Sequence, residues 1–385
     1  MEEYYNQWLC SLWGMTNQAL LRGLAYFETS GAIYEAGRAE LSKVFTEYQT
    51  GVIEASRKRL DSLEKLQMEY DRLEERHIHF VSQGHPFYPG RLLDIPDAPL
   101  GLYFKGELPG EETLSVAVIG ARECSAYGQY VARGLGAFLG EKGVSVISGM
   151  ARGIDGISQE SALNAGGRSY GVLGSGVDIC YPQSNLDLYR RLEHQGGLIS
   201  SYPPGTKPIA RNFPARNRIV SGLSDVVVVV EARAKSGTLI TVDMALEQGK
   251  EVFTVPGRIT DGLSGGCNRL IKQGAGLLLS FEDFYEEICA LQGRLPNDSR
   301  RAVYAKLRQE LKKPTKQARE KLPDIPGELH EIYGKLDFMP KDLETLQREM
   351  GSNYSLTEVQ VQLMRLCMYG AATQVSPGNF CRQGK

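Results

Sequence analysis

The sequence predicts an α/β protein: a Rossmann-like, doubly wound, mainly parallel sheet, flanked by a small N-terminal all-α module and a C-terminal winged-helix-like module. Apolar strand-like runs alternate with helical stretches between Ser115 and about Leu279. Val226–Val230 is an unbroken apolar run, as expected of a central strand covered on both faces. Glycines are concentrated where these runs end, at the tight strand-to-helix turns of this class.

Length and composition agree with this class. The 385 residues suffice for two or three domains, and 42% hydrophobic with 23% charged residues is typical of folded globular chains. No apolar run approaches the roughly 18 residues of a membrane span, and the N-terminus is acidic, unlike a secretory signal. We therefore expect a cytoplasmic protein with no membrane contact.

The cysteines and the net charge argue against further classes of protein. The seven cysteines are scattered and lack a C-x-x-C pair, which predicts reduced thiols rather than a disulfide framework or a zinc site. The formal net charge of −2 taken alone disfavours a nucleic-acid partner.

Four parts follow one another along the chain. Residues 1–76 carry helical periodicity and predict a helical module of the SAM or helix-hairpin-helix type. Residues 78–290 are expected to form the extended Rossmann-like domain, which begins with short extended pieces joined by proline turns. Residues 291–324 form a basic linker, and residues 325–385 a winged-helix-like module.

The linker and the C-terminal module leave their roles open. Arg294–Lys321 contains ten Lys/Arg against three Asp/Glu, so it is either a solvated connector or an auxiliary polyanion contact. Leu343–Met350 and Leu356–Met368 are the predicted helices of the C-terminal module, and Ala371–Phe380 is its predicted hairpin. Some modules of this kind bind DNA and others bind proteins.

Seven strands are predicted in the α/β domain, most of them followed by enough chain for a crossover helix. They are Val116–Ile119, Val144–Ile147, Ser169–Leu173, Leu198–Ser200, Val226–Val230, Glu251–Val255 and Leu277–Leu279. In such a sheet, ligands bind at the carboxyl ends of the strands. The residues that follow each strand are therefore the candidate site.

Four strand ends carry a glycine-containing loop, at residues 120–128, 149–155, 174–178 and 231–238. Glycine lets backbone amides approach a ligand closely, and a following helix N-terminus favours an anion, so phosphate is the expected guest. The G-x-G-x-x-G and P-loop fingerprints are missing, which argues against a dinucleotide cofactor and against ATPase chemistry.

A cationic segment lies between the fourth and fifth predicted strands. Residues 194–224 are 31 consecutive positions without an acidic side chain. Phe213 stands among cations there, and an aromatic ring beside arginine can stack a base while the guanidinium neutralises the adjacent phosphate. The alternative is that Phe213 fills the core and the arginines pair with helix carboxylates. The basic residues of the segment are Lys207, Arg211, Arg216 and Arg218.

Candidate catalytic groups are scarce. None of the five histidines falls in the loops, and metal-binding spacings are absent. Asp155 and Asp178 each follow a glycine loop at a helix start, where capping is the expected role. We therefore predict a binding site with no catalytic residue, metal or cofactor.

Six ordered motifs occur together in residues 78–285. They are Gly120-Ala121-Arg122, Ser148–Asp155, Gly174–Asp178 with Tyr181-Pro182, Phe213–Ile219, Ser236–Thr241 and Val255-Pro256-Gly257. This set strongly resembles the DNA-processing protein A family, also called DprA or Smf. The helical and winged-helix-like modules match that family less specifically.

The resemblance implies a non-catalytic single-strand DNA-binding protein that is dimeric through its Rossmann-like domain. Members of the family protect incoming DNA during natural transformation and load the RecA recombinase onto it. RecA is therefore an implied partner, and single-strand binding protein is a further candidate. By the same resemblance, Arg122 is the main phosphate ligand and Phe213 the base-stacking residue.

The resemblance also supplies the remaining candidate residues and two departures. Ala210 and Gln183 stand where many members have Lys, with Arg211 as the candidate substitute for the first. Ile271 and Leu277 fall in the segment that resembles the dimerisation region. The other candidate DNA contacts are Ser148, Gly149, Arg152, Gly174, Gly176, Arg211, Arg216, Asn217, Arg218, Ser236, Gly237 and Thr238.

Two alternatives stay open at this point. One is a Rossmann-like nucleotide-phosphate hydrolase of the lysine-decarboxylase-like type; those enzymes resemble P-G-G-x-G-T-x-x-E, whereas Ser236–Thr241 lacks the final acid. The other is a scaffold whose C-terminal module is the binder. Because the positive charge is confined to a pocket, we expect DNA binding with a modest salt dependence.

Overall fold

The computed structural model describes residues 1–291, 325–337, 340–351, 354–376 and 378–382. The chain divides into two compact units, Met1–Arg122 with Leu135–Leu277, and Glu123–Gly134 with Leu278–Lys385. Apart from Leu291, the predicted basic linker lies outside the described residues. Within the described ranges, no helix combines the length and hydropathy that crossing a membrane requires.

The first unit begins with short helices, and polar side chains cap the N-termini of several of them. Thr46 and Gln49 form a capping box at one helix and Ser62 caps the next. The helical residues share one hydrophobic core with Phe80 and Tyr103, so the helical module is continuous with the first strands of the sheet. The helices are α1 (Glu2–Cys10), α2 (Asn17–Phe27), α3 (Ser30–Glu35), α4 (Arg38–Leu41), α5 (Glu47–Arg59) and α6 (Leu63–Glu75).

The described residues of the first unit form a nine-stranded sheet in the order β1-β2-β6-β5-β4-β3-β7-β8-β9. The prediction of a mainly parallel α/β sheet is confirmed, and each of the seven predicted strands overlaps an observed one. The strands are β1 (His79–Ser82), β2 (Gly101–Gly106), β3 (Ser115–Ile119), β4 (Ser145–Ser148), β5 (Ser169–Val172), β6 (Gly196–Ser200), β7 (Val226–Val229), β8 (Glu251–Thr254) and β9 (Gly276–Leu277).

The first two strands extend this sheet in the opposite direction. Strand β1 pairs antiparallel with β2, and β2 pairs antiparallel with β6 through partners such as Tyr103 and Ser200. Strand β7 is buried along its whole length because it lies well inside the sheet.

Helices follow the strands as the crossover rule requires. Between the strands lie α7 (Ala126–Glu141), α8 (Ile154–Asn164), α9 (Leu186–His194), α10 (Asn212–Gly222), α11 (Gly237–Glu247) and α12 (Gly265–Lys272), and α13 (Phe281–Leu291) comes after β9. A 3₁₀ turn, Gln183–Asn185, precedes α9.

The C-terminal module has a core of its own, which includes Leu346, Leu363 and Phe380. Both predicted helices and the predicted hairpin are present, and the assignment as a winged helix stays a prediction. The elements are α14 (His330–Lys335), β10 (Lys341–Asp342), α15 (Leu343–Met350), α16 (Leu356–Met368), β11 (Ala372–Ser376) and β12 (Asn379–Arg382), with strand order β10-β12-β11.

Candidate nucleic-acid interface

The candidate site lies at the carboxyl ends of the parallel strands. Strands β3, β4, β5, β6 and β7 run in one direction. The loops that follow them therefore meet at one edge of the sheet. Residues 120–122, 149–155, 174–178 and 231–238 of the glycine loops share this edge with the part of the cationic segment that lies between β6 and α10.

Phe213 lies at the start of α10, half-buried and next to two cations. The guanidinium carbons of Arg122 and Arg216 are 5.7 and 5.6 Å from the centre of its ring, within the range of a cation–π contact. A Cβ atom at Gly174 would lie 3.0 Å from the ring, so glycine lets the β5 loop pack against Phe213. The ring thus belongs to the sheet edge and not to the hydrophobic core.

Arg216 is buried, with 5% of its surface exposed. Its Nη1 donates hydrogen bonds to the carbonyl oxygens of Gly149 at 2.8 Å and Val172 at 2.5 Å, and its Nε donates to Asn217 Oδ1 at 3.0 Å. Burial lowers the pKa of Arg216 to about 10 although the charge of Asp155 opposes the shift. Arg216 stays protonated at neutral pH, and it joins the β4 loop, β5 and α10 from inside the protein.

Asp155 is the acidic neighbour of Arg216 and is also buried. Its Oδ2 accepts a hydrogen bond from the backbone nitrogen of Gly149 at 3.2 Å. Burial raises the pKa of Asp155, while the charge of Arg216 and a hydrogen bond with Ser148 act in the opposite direction. Where the sequence indicated a helix cap, the carboxylate instead holds the β4 loop.

The β4 loop contains a strained residue. Met150 has a φ of +52°, in the left-handed region that residues other than glycine seldom adopt. Its amide donates to Gln159 Oε1 at 3.1 Å, and its carbonyl oxygen accepts from Asn185 Nδ2 at 3.1 Å. These side chains fix the loop before any ligand arrives.

The charge available to a ligand comes from exposed basic side chains. Six of them in the loops and the cationic segment have no acidic partner in the described part of the chain: Arg122, Arg152, Lys207, Arg211, Arg233 and Lys235. Arg218, by contrast, forms an ion pair with Asp97, which neutralises its charge.

Several predicted polar contacts are engaged within the protein. Ser148 is buried and its hydroxyl donates to the carbonyl oxygen of Val118 at 2.6 Å. Ser236 Oγ accepts from the Thr238 amide at 3.1 Å and so caps α11. Gly237, the first residue of that helix, has nothing within 4 Å of a Cβ position, so this helix start is open.

The third loop is held by a carboxylate as well. Asp178 accepts a hydrogen bond from the Gly205 amide at 2.8 Å and forms an ion pair with Arg76. A Cβ atom at Gly176 would lie 2.6 Å from Asp178 Oδ1, so a side chain there would displace this contact.

Tyr181 is a residue of this edge that sequence reasoning did not count among the contacts. Tyr181 as a whole is 44% exposed, and its ring centre is 5.8 Å from that of Phe213 with the planes inclined by 39°. The signal in the sequence was the Tyr181-Pro182 pair after the third glycine loop. Asn212 was missed too; its Nδ2 donates to the carbonyl oxygen of Gly174 at 3.0 Å.

The two candidate dimer residues lie elsewhere in the same unit. Ile271 is on α12, and Leu277 is on β9, the last strand of the sheet. Leu277 is 39% exposed. In the described ranges, no group of three His, Cys, Asp or Glu side chains is placed to hold a metal ion.

Comparisons with known sequences agree with one another. The family model of the DNA recombination-mediator protein A matches residues 79–289. Protein Smf of Escherichia coli (strain K12) is 39% identical over 311 residues, 80% of this chain and 79% of that protein. The DNA processing protein DprA of Streptococcus pneumoniae is 35% identical over 291 residues, 71% of this chain and 94% of that protein.

Solved structures give the same result. DNA processing protein A from S. pneumoniae matches with a TM-score of 0.64 and 34% identity, covering 74% of this chain and 97% of that one. DNA processing protein A from Helicobacter pylori, reported for its single-stranded DNA binding mode, matches with a TM-score of 0.50 and 28% identity, covering 57% of this chain and 97% of that one. Because the family model spans more than half of the chain and the relatives match over most of their length, the chain belongs to the DNA recombination-mediator protein A family, that of the DprA and Smf proteins.

Proposed function

We propose that this protein binds single-stranded DNA without reacting with it, protects the incoming strand during transformation or recombination, and passes it to RecA. The observation that carries the proposal is the placement of the half-buried Phe213 ring beside the exposed Arg122 at the glycine-loop edge. The single-strand binding reported for the H. pylori relative supports it.

In the proposed pocket, the aromatic ring binds a base and the arginine binds a phosphate. A base stacks on Phe213, worth about 1–3 kcal/mol and independent of base identity because every base has a π-face. Arg122 has no acidic partner in the described ranges, so its guanidinium is free to leave the ring for a phosphate. A duplex hides its base faces, so the pocket favours single strands.

The carboxylates of this edge support a binding role over the hydrolase alternative. Asp155 is buried and engaged by Gly149, and Asp178 is engaged by Gly205 and Arg76. Neither is presented to a ligand as a general acid. Incubation with nucleoside monophosphates is expected to release no free base.

The surface of the C-terminal module supports placing the DNA site in the α/β domain. Val361, Met364 and Met368 recur on the exposed side of α16. The basic residue of this helix, Arg365, forms an ion pair with Glu328. A DNA-reading helix would instead expose basic side chains to phosphates.

Dimer formation and the recombination partners complete the proposal. We place the homodimer contact at the α12–β9 edge, around Ile271 and Leu277. RecA and DNA coated with single-strand binding protein are the expected partners, both met in the cytoplasm.

The experiment is RecA filament formation on single-stranded DNA coated with single-strand binding protein. Addition of the protein should shorten the lag, and Arg122→Ala should weaken DNA binding at least tenfold and lose this effect. Arg22→Ala, an exposed arginine of the helical module, is the matched control. A wild-type protein that binds single strands no better than duplexes would contradict the proposal.

A further inference from the structure

We infer that Tyr181 is a second base-stacking residue, which takes the nucleotide next to the one on Phe213. The inference rests on the proposed function. It adds to that function a second stacking contact and the spacing between the two stacked bases. Tyr181 and Phe213 are neighbours in space although 32 residues separate them in sequence, and both lie at the glycine-loop edge.

The distance between the rings decides how bases are held. One base inserted between two rings needs about 7 Å, because each aromatic contact takes about 3.5 Å. The ring centres of Tyr181 and Phe213 are 5.8 Å apart and the planes are inclined by 39°. The two rings are too close together for one base to insert between them. Each ring therefore stacks on a separate base.

The same distance between the rings favours single-stranded over double-stranded nucleic acid. Neighbouring bases in a duplex strand are about 3.4 Å apart. Two bases that stack on rings 5.8 Å apart must be drawn away from each other. A stretched single strand allows this, whereas a stacked duplex does not.

The surroundings of Tyr181 leave it available for stacking. Tyr181 as a whole is 44% exposed, and in the described part of the chain its hydroxyl has no hydrogen-bond partner. Gln183, two residues on, is exposed and neutral. This loop therefore contributes stacking rather than charge, and the phenyl ring of Tyr181→Phe should serve equally well.

The test compares Tyr181→Ala with wild type on two labelled probes of equal length: an oligothymidylate and a fully abasic strand. Affinity of Tyr181→Ala for the thymidylate should fall on the order of tenfold, within the range of one lost stacking contact. Affinity for the abasic strand should not change. Tyr181→Phe should match wild type, as should Tyr48→Ala, an exposed tyrosine of the helical module.

The ratio of the two affinities separates a base contact from a merely structural role. Equal weakening on both probes, or no weakening while Phe213→Ala loses thymidylate affinity, would overturn the inference and leave the proposed function standing. A wild-type protein that binds neither probe would instead refute the proposed function. Photo-crosslinking with 5-iododeoxyuridine should place adducts on both Tyr181 and Phe213, and adducts on Phe213 alone would also overturn the inference.

Discussion

Arg216 and Asp155 hold Gly149 from both sides: the Gly149 carbonyl oxygen accepts from Arg216 Nη1 at 2.8 Å, and its amide donates to Asp155 Oδ2 at 3.2 Å. A Cβ atom at Gly149 would lie 2.7 Å from Arg216 Nη2 and 2.9 Å from Asp155 Oδ2. A larger residue at this position would have to displace one of these two side chains. The buried pair thereby fixes the β4 loop next to the stacking ring.

Arg216→Met should destabilise the protein, because it removes a buried guanidinium that donates hydrogen bonds to the carbonyl oxygens of Gly149 and Val172. A buried acceptor left without its partner costs about 1–3 kcal/mol. Urea unfolding followed by circular dichroism measures this free energy, with the exposed Arg22→Met as control. A loss of unfolding free energy below about 1 kcal/mol would show that the hydrogen bonds of Arg216 do not stabilise the β4 loop.

Asp155→Asn should change how stability depends on pH. Burial raises the pKa of Asp155 above its ordinary value of 3.8, so the folded protein holds this proton more tightly than the unfolded chain. The resulting stability is fully present below about pH 4 and is lost as pH rises through the folded-state pKa. Asparagine does not titrate.

Unfolding free energies at several pH values between 4 and 7 provide the measurement. The difference between Asp155→Asn and wild type should move in favour of the variant as pH rises. If the curves of Asp155→Asn and wild type ran parallel, the raised pKa of the buried Asp155 would be contradicted.

Much of the fold was predictable because the strands are short apolar runs separated by glycine loops, and the crossover rule then orders them. The edge that carries Arg122 and Phe213 followed from the same rule. The short extended pieces that form β1 and β2 were predicted, but their antiparallel pairing with the sheet was not, since short strands at the edge of a sheet give a weak pattern.

The individual roles at the site depend on partners far apart in sequence. Arg216 and Arg218 are indistinguishable in the cationic segment, yet one is buried against β5 and the other pairs with Asp97. Tyr181 becomes a neighbour of Phe213 only when the β5 loop folds onto α10. No local pattern encodes either result.

Salt should weaken DNA binding only modestly. Six exposed basic side chains of the loops and the cationic segment have no acidic partner in the described ranges: Arg122, Arg152, Lys207, Arg211, Arg233 and Lys235. At about 0.7 per neutralised phosphate on single strands, the slope of log K against log salt should lie between about −2 for three phosphates and about −4 for six. Titrations between about 50 and 200 mM salt measure it, and a slope steeper than about −5 would indicate a broad basic face instead.

Deletion of residues 322–385 should leave single-strand affinity within about twofold of the full chain. The reason is that α16 exposes no unpaired basic side chain: its exposed residues include Val361, Met364 and Met368, and Arg365 forms an ion pair with Glu328. Gel-shift titrations of both proteins decide the matter. Complete loss of binding by a folded truncated chain would favour the C-terminal module as the binder.

The most direct measurement is the affinity of Phe213→Ala for labelled single-stranded DNA, by fluorescence anisotropy at matched salt. The ring lies between the cationic edge and the glycine loops, so its removal should lower affinity at least tenfold, consistent with about 1–3 kcal/mol per stacked base. The unfolding free energy should stay near that of wild type, because the ring is only half-buried. An unchanged titration curve would contradict base stacking at this site.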